Sequence, residues 1–230
     1  DGTSWTEVND LNTVRFGAGG SGTQGAGLIF GGETTGGGNT VDSEEWNGTS
    51  WTEGNNMTAA RVYVAGLGTQ TAGLAATGNG DTDDAEEYDG TSWADAANTN
   101  TGRYGTASGG AGIQTAGLIA GGGYSGEVES YDGSSWTELA DVPDRNFAGM
   151  AGATNTEALI WGGDQDPGFI ASVQEWDGIT WTEVADYPSA QGHWTGTGTR
   201  VAALSIGGGP GGVTATFEWT KGQNVEIITD

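Results

Sequence analysis

The chain has 230 residues, of which 31 are Asp or Glu and 6 are Lys or Arg, for a formal charge of −25. That field repels phosphate backbones and anionic lipid surfaces, which argues against nucleic-acid and membrane partners, and no apolar run reaches the ~18 residues that cross a bilayer. Cysteine is absent, so disulfides, thiolate metal sites and thiol nucleophiles are excluded, and packing must supply the stability.

The chain opens with DGTSWTEV from Asp1, and close variants return as NGTSWTEG from Asn47, DGTSWADA from Asp89, DGSSWTEL from Asp132 and DGITWTEV from Asp177. The tryptophans of these motifs, Trp5, Trp51, Trp93, Trp136 and Trp181, are spaced by 46, 42, 43 and 45 residues. A period of that length predicts stacked supersecondary units, each too small to bury its own apolar face.

Each unit begins with a small-residue segment, seen as RFGAGGSG from Arg15, RVYVAGLG from Arg61, RYGTASGG from Arg103 and NFAGMAGA from Asn146. Small side chains predict a strand packed closely beside its equivalents near an axis. A buried second strand follows in GLIFGG from Gly27, GLAATG from Gly73, GLIAGG from Gly117, ALIWGG from Ala158 and ALSIGG from Ala203. After a variable acidic loop, a third strand ends on an aromatic residue: Trp46, Tyr88, Tyr131, Trp176 or Trp219. Asp-Gly or Asn-Gly then turns the chain into the tryptophan strand. No apolar stripe with a 3.6-residue period competes with this four-strand pattern.

The apolar run closing on Gly-Gly, the following aromatic and then the Trp resemble the repeat of the kelch family, including the central domain of galactose oxidase. The resemblance spans essentially the whole chain and implies an all-β, five-bladed β-propeller with four antiparallel strands per blade, one domain over residues 1–230. The NGTSWTE style of repeat is also similar to acidic, Gly-rich proteins encoded by marine phages, which implies an extracellular or virion-associated setting. Because the other outer strands carry a Trp, the strand around Trp5 (residues 1–8) is expected to complete the last blade, in preference to NVEIIT from Asn224.

The copper chemistry of galactose oxidase needs histidines and a cysteine-linked tyrosine. One histidine, His193, and no cysteine are present, so that site does not carry over. Arg15, Arg61, Arg103 and Arg145 recur at the start of the first strand and are expected to hold neighbouring acidic groups or carbonyls rather than to clamp a ligand. Adjacent acids such as Glu44 and Glu45, or Glu86 and Glu87, lie on strands whose alternation sends them to opposite faces, which weakens a shared acid–base role. The segment NGDTDDAEE offers Asp81, Asp83 and Asp84 as candidate oxygen ligands for Ca2+ or Mg2+, without the spacing of an EF-hand.

A regular scaffold without a catalytic constellation predicts a non-enzymatic binding or structural module. Its ligand, a glycan or protein receptor, would meet the variable loops at one end, with Asp164, Asp166, Phe169 and Ile170 as candidate contacts. The alternative is a glycan-acting hydrolase or lyase using loop carboxylates.

Overall fold

The structure is a computed structural model, and it describes residues 4–106, 110–143, 147–192, 195–209, 215–222 and 226–228. Five four-stranded antiparallel sheets are arranged as a five-bladed β-propeller. The first blade runs Gly19–Thr23, Ala26–Phe30, Ser43–Trp46, Trp51–Glu53, and the second Ala65–Thr69, Ala72–Ala76, Ala85–Tyr88, Trp93–Asp95. The third runs Ala111–Ile113, Ala116–Ala120, Val128–Tyr131, Trp136–Glu138, and the fourth Gly149–Thr154, Glu157–Trp161, Val173–Trp176, Trp181–Glu183. The fifth is Thr195–Thr199, Ala202–Ile206, Thr216–Thr220 and Glu226–Ile228.

The core lies between blades. Leu28, Phe30 and Met57 of the first blade and its exit segment meet Ala75, Tyr88 and Trp93 of the second. Leu74 and Ala76 meet Ile119, Tyr131 and Trp136, and the pattern continues through Leu118 against Met150 and Ile160 and through Leu159 against Ala203 and Phe217. Small residues near the axis let the inner strands approach. A Cβ added to Gly66 would collide with the backbone of Gly20 in the preceding blade, and one added to Gly196 would collide with the Trp161 ring. The repeated tryptophans stack on the third-strand aromatics, with ring centroids 5.1 Å apart for Tyr88 and Trp93 and 4.8 Å apart for Tyr131 and Trp136. Trp93 and Trp136 are each 7 % exposed, while Trp51 and Trp181 are half-buried.

The Asp-Gly and Asn-Gly segments turn the third strand into the tryptophan strand as expected, through four-residue loops, because Tyr88 pairs directly with Trp93 and Trp46 with Trp51. The Asp89 carboxylate accepts the Thr91 and Ser92 amides, and Asn47, Asp132 and Asp177 do the same in their loops. This Asx arrangement explains the Asp or Asn that starts these four copies.

One sequence expectation changes, and it concerns closure. The outer strand of the fifth blade is Glu226–Ile228, with Ile227 opposite Phe217, and residues 4–8 belong to no strand. Residues 1–3 lie outside the described residues. Pairing with a strand a few residues downstream closes a short loop, whereas recruiting the far end of the chain closes one of more than two hundred residues, and loop entropy favours the local partner. A Trp is therefore not a requirement of the outer position.

Candidate functional site

The recurrent arginines fix which elements meet at one end of the propeller. Arg61 Nη2 lies 2.7 Å from Glu86 Oε1, and Arg61 Nη1 donates to the carbonyls of Thr77 and Asp84, at the end of the second strand and just before the third. Arg15 with Glu44 and Arg103 with Glu129 repeat the pair at the same 2.7 Å. The other carboxylate oxygen accepts a backbone amide from the segment leading into the blade: Asn12, Thr58 or Asn100. Burial pulls the Arg103 guanidinium below its usual range while Glu129 opposes the shift. These cations are committed to structure, and they bring the loops between second and third strands beside the starts of the first strands. Arg145 and His193 lie outside the described residues.

At that same end the central channel opens. It encloses about 700 Å3, bounded by the inner strands and by Phe16, Tyr63 and Phe147 at its mouth. The aromatic rings form a connected array, with Phe16 6.4 Å from Tyr63, Tyr63 5.0 Å from Phe147, and Phe147 6.0 Å from Tyr104. Tyr63 and Phe147 hold φ of 58° and 49°, in the left-handed region. The equivalent residues of the first and third blades are Gly17 and Gly105, with φ of 63° and 66°. The position demands that conformation because its amide tethers adjacent blades: Tyr63 N donates to Gly17 O, and Phe147 N to Gly105 O. Glycine meets the demand without strain, and a side chain there costs about 1–2 kcal/mol. Two of these positions nevertheless carry large aromatic side chains.

Beside the mouth, Tyr124 also takes a left-handed φ, 57°, and its hydroxyl donates to Asp164 Oδ2 at 3.3 Å. The Asp164 carboxylate holds that hydroxyl above its ordinary pKa. Asp164 and Gln165 form a two-stranded arm with Gly168 and Phe169, and Asp166 is exposed at its tip. Phe169 packs over Gly192, where a Cβ would touch its ring, and the Ile170 amide donates to Gly163 O. Of the residues picked from the sequence, Asp164 and Asp166 thus lie near Tyr124, while Phe169 and Ile170 build the arm. Asp81, Asp83 and Asp84 are exposed, and no three acidic or histidine side chains among the described residues are grouped to hold a metal ion. The backbone carbonyls of Asp83 and Asp84 serve the fold by accepting from Thr99 and Arg61.

The aromatic array was not singled out from the sequence. Its signal is an aromatic residue one or two positions after the arginine, in RFG, RVY, RYG and, after Arg145, NF. Glycine and alanine dominate those segments and mask it.

No family model matches the chain, and no curated protein is similar to it in sequence. A solved structure described as "Structure of YjhT" is similar in shape, with a TM-score of 0.77 at 14 % identity over 98 % of this chain and 88 % of that one. YjhT is a kelch-repeat propeller. The architecture here is kelch-like. At that identity the likeness concerns the fold alone.

Proposed function

We propose that this chain is a non-enzymatic binding module that takes a neutral or amino-bearing glycan at the aromatic mouth of its channel. The observation that carries the reading is the pair Tyr63 and Phe147, held in a left-handed conformation where the neighbouring blades use glycine. Backbone strain of this kind persists where the side chain serves a purpose, and here both rings line an opening. Aromatic faces bind the C–H faces of sugars, and the Tyr124 hydroxyl and Asp164 carboxylate supply hydrogen bonds beside them. A channel of about 700 Å3 falls within the range of small-ligand sites. The charge of −25 and the pairing of Arg15, Arg61 and Arg103 with glutamates disfavour an anionic ligand. An extracellular or virion-associated setting, as in phage proteins with similar repeats, fits a receptor-binding role.

The third-strand carboxylates Glu44, Glu86 and Glu129 are buried against arginines, which leaves only the loop carboxylates to support a catalytic reading. A glycan array probed with the intact protein, run beside hydrolase and lyase assays on the same sugars, tests the reading. It requires retention of a family of neutral or amino glycans without turnover. An array on which nothing is retained, or turnover abolished by a single loop carboxylate substitution, would overturn it.

A further inference from the structure

Among the described residues, five other than glycine hold a left-handed φ, and three of them are aromatic: Tyr63 at 58°, Tyr124 at 57° and Phe147 at 49°. Tyr124 sits in a tight turn with Gly123, whose φ is 61°, and the Ser125 amide closes that turn by donating to Gly122 O at 3.0 Å. Both central positions of such a turn suit Gly, Asn or Asp. In the second blade the loop between the same two strands fills them with Gly80 and Asp81, at 73° and 55°. An aromatic residue thus stands three times where the backbone favours a small or polar one.

The three belong to one surface. Tyr63 and Phe147 line the channel mouth, Phe147 lies 6.0 Å from Tyr104, and the Tyr104 carbonyl accepts the amide of Gly123, next to Tyr124, at 2.8 Å. Neighbouring rings are steeply inclined, by 68° between Tyr63 and Phe147 and by 64° between Phe147 and Tyr104. Rings so inclined make a folded surface rather than one flat platform, and a compact cation suits such a surface.

The charges beside it have one sign. Asp164 accepts the Tyr124 hydroxyl, and Asp166 is exposed at the tip of the same arm. The field of Asp164 chiefly, with a smaller contribution from Asp166, raises the pKa of that hydroxyl, so both carboxylates act on the aromatic surface. Every Arg and Lys among the described residues is paired elsewhere. Arg15, Arg61 and Arg103 hold third-strand glutamates, while Arg200 and Lys221 hold Glu157 and Glu175. A cation that answers Asp164 and Asp166 has to arrive with the ligand.

We propose that the aromatic mouth selects glycans bearing protonated primary amines, with the ammonium group seated between the ring array and the Asp164 carboxylate, an inference that rests on the glycan reading above. An ammonium donates charge-assisted hydrogen bonds to a carboxylate and is attracted by the quadrupole of nearby rings. An N-acetyl group or a hydroxyl at the same carbon of the sugar gains neither. The overall charge of −25 attracts any cation at long range. Selection at the mouth is a separate, local effect that one carboxylate controls.

The probes are linear glucosamine oligomers, their N-acetylated counterparts and neutral glucose oligomers of equal length. Each is titrated into the intact protein in a mildly acidic buffer that protonates the amines and leaves Asp164 ionised. The amine-bearing oligomer should bind about tenfold or more tightly than either of the others. Asp164→Asn keeps the shape of the side chain and its capacity to accept from Tyr124, and it should abolish the preference. Glu53→Gln, exposed on the outer strand of the first blade, makes the same change in net charge and should leave the preference intact. Urea midpoints are read on the same preparations, so that lost binding is not mistaken for lost fold. Equal binding of the three oligomers, a preference that survives Asp164→Asn, or one that Glu53→Gln also removes would overturn the amine assignment and leave the glycan reading standing. Failure of all three oligomers to bind would overturn the assignment too, and together with an empty glycan array it would remove the glycan reading as well.

Discussion

Arg61 and Glu86 face each other at 2.7 Å with their side chains 3 % and 1 % exposed, and together they tie a loop, a strand and a segment leading into the blade. Glu86→Ala would leave the guanidinium buried without its counter-charge, which costs about 3–5 kcal/mol. Replacing both partners at once, Arg61→Met with Glu86→Leu, should cost less than the single change even though the Thr77 and Asp84 carbonyls lose a donor. Urea midpoints of the single and double variants provide the comparison.

Tyr88 donates its hydroxyl to Glu45 of the preceding blade, and Tyr131 donates to Glu87 at 2.9 Å. Burial, then the hydrogen bond to the carboxylate, raises both tyrosine pKa values well above the ordinary range near 10. The folded state therefore keeps these protons more tightly than the unfolded state. Their contribution is fully present below about pH 10 and is lost as pH rises through the folded values. Ultraviolet titration should find at least two tyrosines still protonated above pH 11, and Tyr88→Phe should remove one of them.

The Asp132 carboxylate, held by the Ser134 hydroxyl and by the Ser135 and Ser134 amides, has its pKa lowered to about 2. The unfolded value lies near 4, so this loop stabilises the fold above about pH 4, and the stabilisation disappears as pH falls through about 2. The difference in melting temperature between the wild type and Asp132→Ala should be constant near neutral pH and shrink below pH 4.

Blade number, strand order and the structural role of the arginines were legible in the sequence, because they follow from a repeat in which Gly-Gly, an aromatic residue and Trp keep register. Closure was not. It depends on the loop entropy that lets Glu226–Ile228 pair locally, and a pattern of tryptophans carries no information about that. The channel mouth was hidden for another reason: Tyr63 and Phe147 occupy a position whose conformation suits glycine, so composition described the segment as small and missed its two largest side chains.

The closure has its own test. Removing residues 223–230 takes away the outer strand of the fifth blade and should lower the urea midpoint. Removing residues 1–8 deletes no paired strand of the described residues and should leave the midpoint within experimental scatter. The opposite ranking would restore the N-terminal strand to the fifth blade.

The most direct test of the binding mouth replaces Tyr63 and Phe147 with the glycine their neighbours use. Tyr63→Gly with Phe147→Gly removes both rings and relieves the strain of two left-handed side chains, so lost packing and relieved strain offset each other. Glycan affinity and denaturation midpoint are measured on the same preparation. The account predicts a fold that stays cooperative with stability changed by no more than about 2 kcal/mol and affinity reduced at least tenfold, about 1.4 kcal/mol. Undiminished glycan affinity in the double variant would contradict it.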